Sequence, residues 1–213
     1  MAISKIDVSN MLDETLPVAN GGTGVTTAAD LANAGNMVLI KTQTVSSAVS
    51  SVEFKNGVDD VVFDNTYKFY KVIFRDVFGS TNETEHNFRV SSDGGSTYRS
   101  TGYLTTLWRS YWNGTTNGSN QNYYSNRIKL LNMHVKTALS TGSHNGEMTF
   151  WNPSETGKDA IISVISAGFD GDYSINAIGH SSINANGDID AIKFYMSSGN
   201  ISGGSYTLYG IKD

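Results

Sequence analysis

The sequence predicts an all-β chain: an antiparallel, jelly-roll-like β-sandwich preceded by an extended N-terminal arm with one short helix. Three observations lead there. Short runs of alternating apolar and polar residues fill the chain after about residue 45, Asx-Gly and Gly-Gly pairs punctuate the connections, and no helical periodicity of any length lies between the runs. Parallel sheets need long crossovers, usually helical, so these sheets are expected to be antiparallel. Two packed sheets of jelly-roll type accommodate the roughly nine strands that the pattern marks.

The front of the chain is different in kind. Residues 1–45 contain no Tyr, Trp or Phe. A segment without large rings is poorly equipped to build a core and is expected to gain its order by docking onto other subunits. Thr27 with Asp30 three residues on forms a weak capping box, opening a short helix over 28–34 that stops at Gly35. Such a helix is too short to stand alone in water. The chain therefore divides into an arm, 1–45, and a β-sandwich domain, 46–213.

Along that domain, Tyr70, Val72 and Phe74 alternate with Lys71, Ile73 and Arg75 in a nearly two-sided buried strand. Phe88 and Val90 alternate with Asn87 and Arg89, and Asp93-Gly94-Gly95 follows as a hairpin signal. Between Ile128 and Val135 the apolar phase slips, which a bulge near Leu130 would explain. Met148 with Phe150, Ile162 with Val164, and Ile175 with Ala177 mark three further strands. Ile192, Phe194 and Met196 mark another, and the last runs over 206–211.

Composition narrows the function. With 213 residues and no cysteine, disulfide scaffolds, iron–sulfur clusters, thiol nucleophiles and cysteine zinc sites are excluded. A net charge of −5 with no basic cluster argues against nucleic acid as a partner. No apolar run is long enough for membrane insertion, and the first residues lack a secretory pattern, so synthesis in the cytoplasm is expected. Charged residues are only 16 %, so free strand edges are weakly protected and oligomerisation is expected to hide them.

The most informative local segment is 103–127, where Tyr103, Trp108, Tyr111, Trp112, Tyr123 and Tyr124 are interleaved with Asn and Gly. Flat rings stack on the apolar C–H faces of sugars while amides and hydroxyls bond the rim, so Trp108, Tyr111, Trp112, Tyr123 and Tyr124 are candidates for a neutral glycan site. The same rings suit packing beneath a loop or between subunits. Trp112, Tyr123 and Tyr124, nearest the Gly-Asn tip, are the ones expected to be exposed. Asp170-Gly171-Asp172 and the Asx-rich stretch 184–190 concentrate oxygen ligands, but the second lacks the order of a calcium loop, and both read as turns. His86, His134, His144 and His180 show no ligand spacing and read as surface or edge residues. No nucleophile elbow, zinc helix or phosphate loop occurs. Glycoside cleavage needs two carboxyl groups flanking the sugar bond, for which Glu147 with Asp170 or Asp172 are examples of candidates, though the sequence alone does not place them on one face. No enzyme, metal or cofactor is expected.

The stretch Leu16-Pro17-Val18-Ala19-Asn20-Gly21-Gly22-Thr23-Gly24, followed by threonines and an alanine-rich turn, resembles a segment that recurs in tail fibres and related adhesins of tailed bacteriophages. The domain is also similar, at 67–74, at the turn 91–98 (SSDGGSTY) and at the ending 198–213 (SGNISGGSYTLYGIKD), to a C-terminal module common in phage tail and structural proteins. The resemblance implies a homotrimeric virion protein, with Leu16, Pro17, Val18, Asn20, Gly21, Gly22 and Gly24 in the arm as attachment candidates and other tail or capsid proteins as its partners. It implies a receptor-binding role toward host cell-surface polysaccharide. There is no repetitive shaft between arm and domain, so a short spike, a capsid decoration (head fibre) or a baseplate subunit is implied equally, and a glycan depolymerase less so.

Overall fold

The computed structural model describes residues 36–64, 66–130, 135–138, 142–155, 157–184 and 188–212. The attachment candidates at 16–24, the helix expected over 28–34, and His134 lie outside the described residues. Nearly all of the described residues belong to one compact unit, Leu39–Asp213.

Among the described residues there are twelve strands and no helix: β1 (Met37–Val45), β2 (Ser51–Lys55), β3 (Phe69–Gly79), β4 (His86–Ser91), β5 (Tyr103–Trp112), β6 (Asn117–Tyr124), β7 (Ile128–Lys129), β8 (Ser143–Trp151), β9 (Ala160–Phe169), β10 (Ser174–Ile183), β11 (Ala191–Met196) and β12 (Ile201–Ile211). They form two antiparallel sheets of unequal width. The wide sheet has eight strands in the order β1-β12-β3-β8-β9-β10-β5-β6, and the narrow sheet has four in the order β2-β11-β4-β7. The chain passes repeatedly from one sheet to the other. The boundary read near residue 45 falls at the end of β1, which is an edge strand of the wide sheet.

Strand periodicity places the core. In β3, Tyr70, Val72, Phe74 and Val77 are buried while Ile73 and Arg75 are exposed, so the strand is buried chiefly on one face. Phe88 and Val90 of β4, Ile192 and Phe194 of β11, and Tyr206 and Leu208 of β12 meet them between the sheets. Phe194 lies 4.9 Å from the Tyr206 ring, 5.3 Å from Phe88 and 6.5 Å from Phe54. Fully burying each such ring contributes about 2–3 kcal/mol by area.

One local expectation is corrected, and another falls partly outside the described residues. Asp93-Gly94-Gly95 does turn the chain, with both glycines at positive φ (70° and 78°) and Asp93 Oδ1 accepting bonds from Ser91 Oγ (2.6 Å) and Thr97 N (2.8 Å). It is a crossover, not a hairpin: β4 is already paired on both edges, by β11 and β7, so β5 joins the other sheet. The register shifts lie in β12, between Ile201 and Ser205, and where β3 meets β8, between Phe74 and Val77. Gly204, at φ 109°, makes the first of these feasible. Leu130, where a bulge was expected, is a buried residue just after β7, and 131–134 lie outside the described residues.

The largest correction concerns histidine. His86 and His144, expected at the surface or an edge, are fully buried, one from each sheet. Their Nδ1 atoms are 2.8 Å apart, so one donates to the other, and His86 Nε2 lies 2.9 Å from the Tyr206 hydroxyl. Phe74 packs edge-on against His86 and tilted against His144. Residues 58 apart in sequence leave no local spacing to read. Burial pushes His86 down to about 3, and burial with the neighbouring ring pushes His144 well below the ordinary histidine value. Both rings are therefore neutral when folded, whereas an unfolded chain takes up protons below about pH 6.5.

Stability is thus full above about pH 6.5 and falls as the pH drops from there toward 3, because the unfolded state binds the extra protons. At pH 5 the loss from His86 alone is about 2 kcal/mol. Urea unfolding at pH 7.5 and pH 5 should show it. The triple substitution His86→Leu, His144→Leu, Tyr206→Phe, which removes the polar cluster as a whole, should flatten that part of the slope.

Candidate ligand-binding face

The aromatic segment is not a loop. It is a hairpin, β5 and β6, paired from Thr105↔Tyr124 to Trp112↔Asn117. Asn113 makes the turn: its Oδ1 accepts bonds from the backbone N–H of Thr115 (3.1 Å) and Thr116 (2.7 Å), and Gly114 takes a φ of 92°. An Asx side chain followed by glycine closes a turn in this way. β10 pairs with the other edge of β5, and β9 with β10, so the hairpin extends the wide sheet.

Alternation then divides the five candidate rings between two faces. Trp108 and Trp112 point outward from β5 and are exposed. Tyr123, opposite Thr106, is on the same outer face and is also exposed. Tyr111 and Tyr124 are on the inner face and half-buried, packed around the small cluster of Leu107, Ile175 and Ala177. Of the three rings expected at the surface, Trp112 and Tyr123 are there and Tyr124 is not.

Each inner ring has a defined job. Tyr111 meets Tyr173 edge to face at 5.4 Å and carries the Arg109 guanidinium 5.1 Å from its centre. Tyr124 lies under Arg127 (5.4 Å) and Lys129 (5.7 Å). Both cations reach Glu85, at 2.9 Å and 2.7 Å. Burial pushes the Glu85 carboxyl up, but hydrogen bonds and charge from Lys129 and Arg127 outweigh it and hold it below the usual range. These two tyrosines anchor the hairpin to the body.

On the outer face the strand rise of about 3.3 Å per residue sets Trp108 and Trp112 roughly 13 Å apart along β5. Between them is an open cleft of about 640 Å³, lined also by Ser110, Asn117, Ser119, Ala167, Ser174 and Asn176. Asn176 Oδ1 accepts from Ser110 Oγ (2.6 Å) and from Ser110 N (3.3 Å), fixing a polar floor between two flat rings. A second hollow of about 530 Å³ holds Tyr123, with Leu104, Thr106, His180 and Ser182 beside it. Its Thr106 hydroxyl is 3.2 Å from His180 Nδ1.

The remaining candidates are engaged elsewhere. Asp170 Oδ1 accepts from the N–H groups of Asp172 (3.1 Å) and Tyr173 (2.8 Å), which is turn chemistry joining β9 to β10. Glu147 bonds Lys71 through both oxygens at 3.1 Å. In the stretch 184–190, residues 185–187 lie outside the described residues, and Asp190 Oδ2 accepts from Gly94 N at 2.9 Å. Among the described residues no group of three or more His, Asp or Glu is placed to hold a metal ion, and no helix is long and apolar enough to cross a membrane.

One feature of this face was missed in the sequence. Leu104, Ile161, Ile165, Phe169 and Ile178 are exposed on it. The signal was present in β9, where AIISVISAGF offers apolar residues to both faces rather than alternating cleanly. Compared with known proteins, the chain matches no family model, no curated protein and no solved structure.

The division of faces has a direct test. Tyr111→Ala removes a half-buried ring and its Tyr173 contact and should cost about 2 kcal/mol in urea unfolding. Trp112→Ala at the exposed end of the same strand should change stability by no more than about 0.5 kcal/mol.

Proposed function

We propose that this chain is a short homotrimeric tail fibre or receptor-binding protein of a tailed bacteriophage, binding a neutral host-surface glycan in the cleft between Trp108 and Trp112. The single observation that carries the ligand is that cleft: two exposed rings on one face with the Ser110–Asn176 pair between them. Sugar rings stack on the indoles and exchange hydroxyl hydrogen bonds with the serine and asparagine side chains. The virion assignment rests on the resemblance of the segment at 16–24 and of the three domain stretches, with the segment ahead of β1 as the attachment arm and synthesis in the host cytoplasm. No catalysis is part of the proposal.

The strand order supports a jelly-roll winding. Setting aside β5, β6, β9 and β10 leaves β1-β12-β3-β8 facing β2-β11-β4-β7, with the chain alternating between the two sets. Jelly rolls are common in viral and lectin domains. The four strands set aside widen one sheet and carry the cleft. A shallow site of this kind binds weakly, and three copies on one axis raise the apparent affinity by effective concentration.

A second reading, a capsid decoration or baseplate subunit without a glycan ligand, is favoured by one observation. The exposed isoleucines on the outer face beside the cleft suit burial against protein rather than sugar.

Binding of the purified full chain to host cells and isolated host polysaccharide separates the two. Trp108→Ala and Trp112→Ala should each lower the apparent affinity roughly tenfold or more, since a per-site loss of about 1 kcal/mol is multiplied over the copies. Assembly should be unchanged in Trp112→Ala. No binding by the unaltered chain, or unaltered binding by both variants, overturns the glycan site. Loss of the assembled mass in Trp112→Ala favours the structural subunit.

A further inference from the structure

We infer that copies of this chain meet through the outer face of the wide sheet, centred on Ile165 of β9 and Ile178 of β10. The two are directly paired across the strands, and Trp108 continues the row on β5. Each isoleucine is 54 % exposed, and Leu104, at 71 %, and Ile161 lie on the same face toward the other end of the strands. Isolated exposed apolar residues are ordinary, but a contiguous cross-strand patch marks a contact surface.

Charge identifies the occupant. None of the outward-facing residues of β5, β9 and β10 is Asp, Glu, Lys or Arg, in a chain whose net charge is −5. The nearest outward charges on the neighbouring strands, Lys71 and Glu147, hold each other at 3.1 Å. On those three strands a basic or acidic partner finds no charged side chain to pair with. A second copy, carrying the same excess of negative charge, approaches here without like charges on these strands opposing it. The size fits too: β3, β8, β9 and β10, about 4.8 Å apart and about ten residues long, present roughly 600 Å², the low end of one partner's share in a stable complex. The Trp108–Trp112 cleft borders this surface at the β5–β6 turn end.

The inference rests on the homo-oligomeric part of the proposed function and not on the glycan. Because the chain has no cysteine, single introduced thiols report burial cleanly. In the purified full chain, Ile165→Cys and Ile178→Cys should react with a maleimide at least ten times more slowly than Thr115→Cys in the exposed β5–β6 turn, and all three at one rate in urea. Light scattering should give a multiple of 23.0 kDa for the unaltered chain. The double substitution Ile165→Lys, Ile178→Lys should bring that to 23.0 kDa with an unchanged β-sheet circular dichroism spectrum. Fast labelling at both isoleucine positions in an assembled chain overturns this face and leaves the oligomer reading standing. A folded double-lysine variant that keeps the assembled mass does the same. A mass of 23.0 kDa for the unaltered chain overturns both. Should the lysine variant fail to fold, the labelling rates decide.

Discussion

Closure of the narrow sheet over the inner face of the wide one is the contact from which the other features follow. It is made by rings: Phe54, Phe88 and Phe194 from one side, Phe74, Phe150 and Tyr206 from the other, all fully buried. Among them sits a polar chain, His144 to His86 to Tyr206, that ties β8, β4 and β12 with hydrogen bonds of 2.8 Å and 2.9 Å. Inside so apolar a setting a neutral imidazole is tolerated and a charged one is not. The same cluster that fixes how the sheets align therefore makes the domain sensitive to acid. His144 Nε2 is buried without a hydrogen-bond partner, which fits a core held together by ring packing more than by polar satisfaction.

The narrow sheet has four strands and the wide one eight. The added strands share the main core through Ala160, Ile162 and Val164 of β9, Ile183 of β10 and Tyr103 of β5, and beyond it β10, β5 and β6 are held by a second, smaller core. Leu107, Ile175 and Ala177 form that core with Tyr111, Tyr124 and Tyr173 around it. The Glu85 carboxylate, between Arg127 and Lys129, holds the base of the hairpin by drawing both cations over Tyr124. The inner tyrosines are spent on anchoring, and the outer face carries the proposed binding surface. It holds two tryptophans around a polar floor and, beside them, an uncharged row of isoleucines. Sugar and protein surfaces call for these two chemistries separately, and strand geometry places them on one face.

Alternation at period two, Asx-Gly turns and the absence of helical pattern were enough to read an all-β antiparallel chain, because each is a local property. The strands from 69 to 79 and from 191 to 196 could be read directly, since alternate apolar residues, Tyr70, Val72 and Phe74 in one and Ile192, Phe194 and Met196 in the other, face a single core. β6 could not, because NGSNQNYY is a polar edge strand whose pairing is supplied by β5. The aromatic candidates were likewise legible as a group, and their division between faces was not: one residue of register decides whether a ring such as Tyr123 or Tyr124 points out or in.

The sequence by itself determined the class of fold, the placing of most turns and the segment rich in rings, because backbone preference and side-chain period act over neighbouring residues. Only the tertiary structure decided the strand order, the burial of His86 against His144, and the meeting of Trp108, Ser110 and Trp112 with Asn176. Those pairings join residues far apart along the chain, and their energy comes from surfaces that exist only once the sheets have closed.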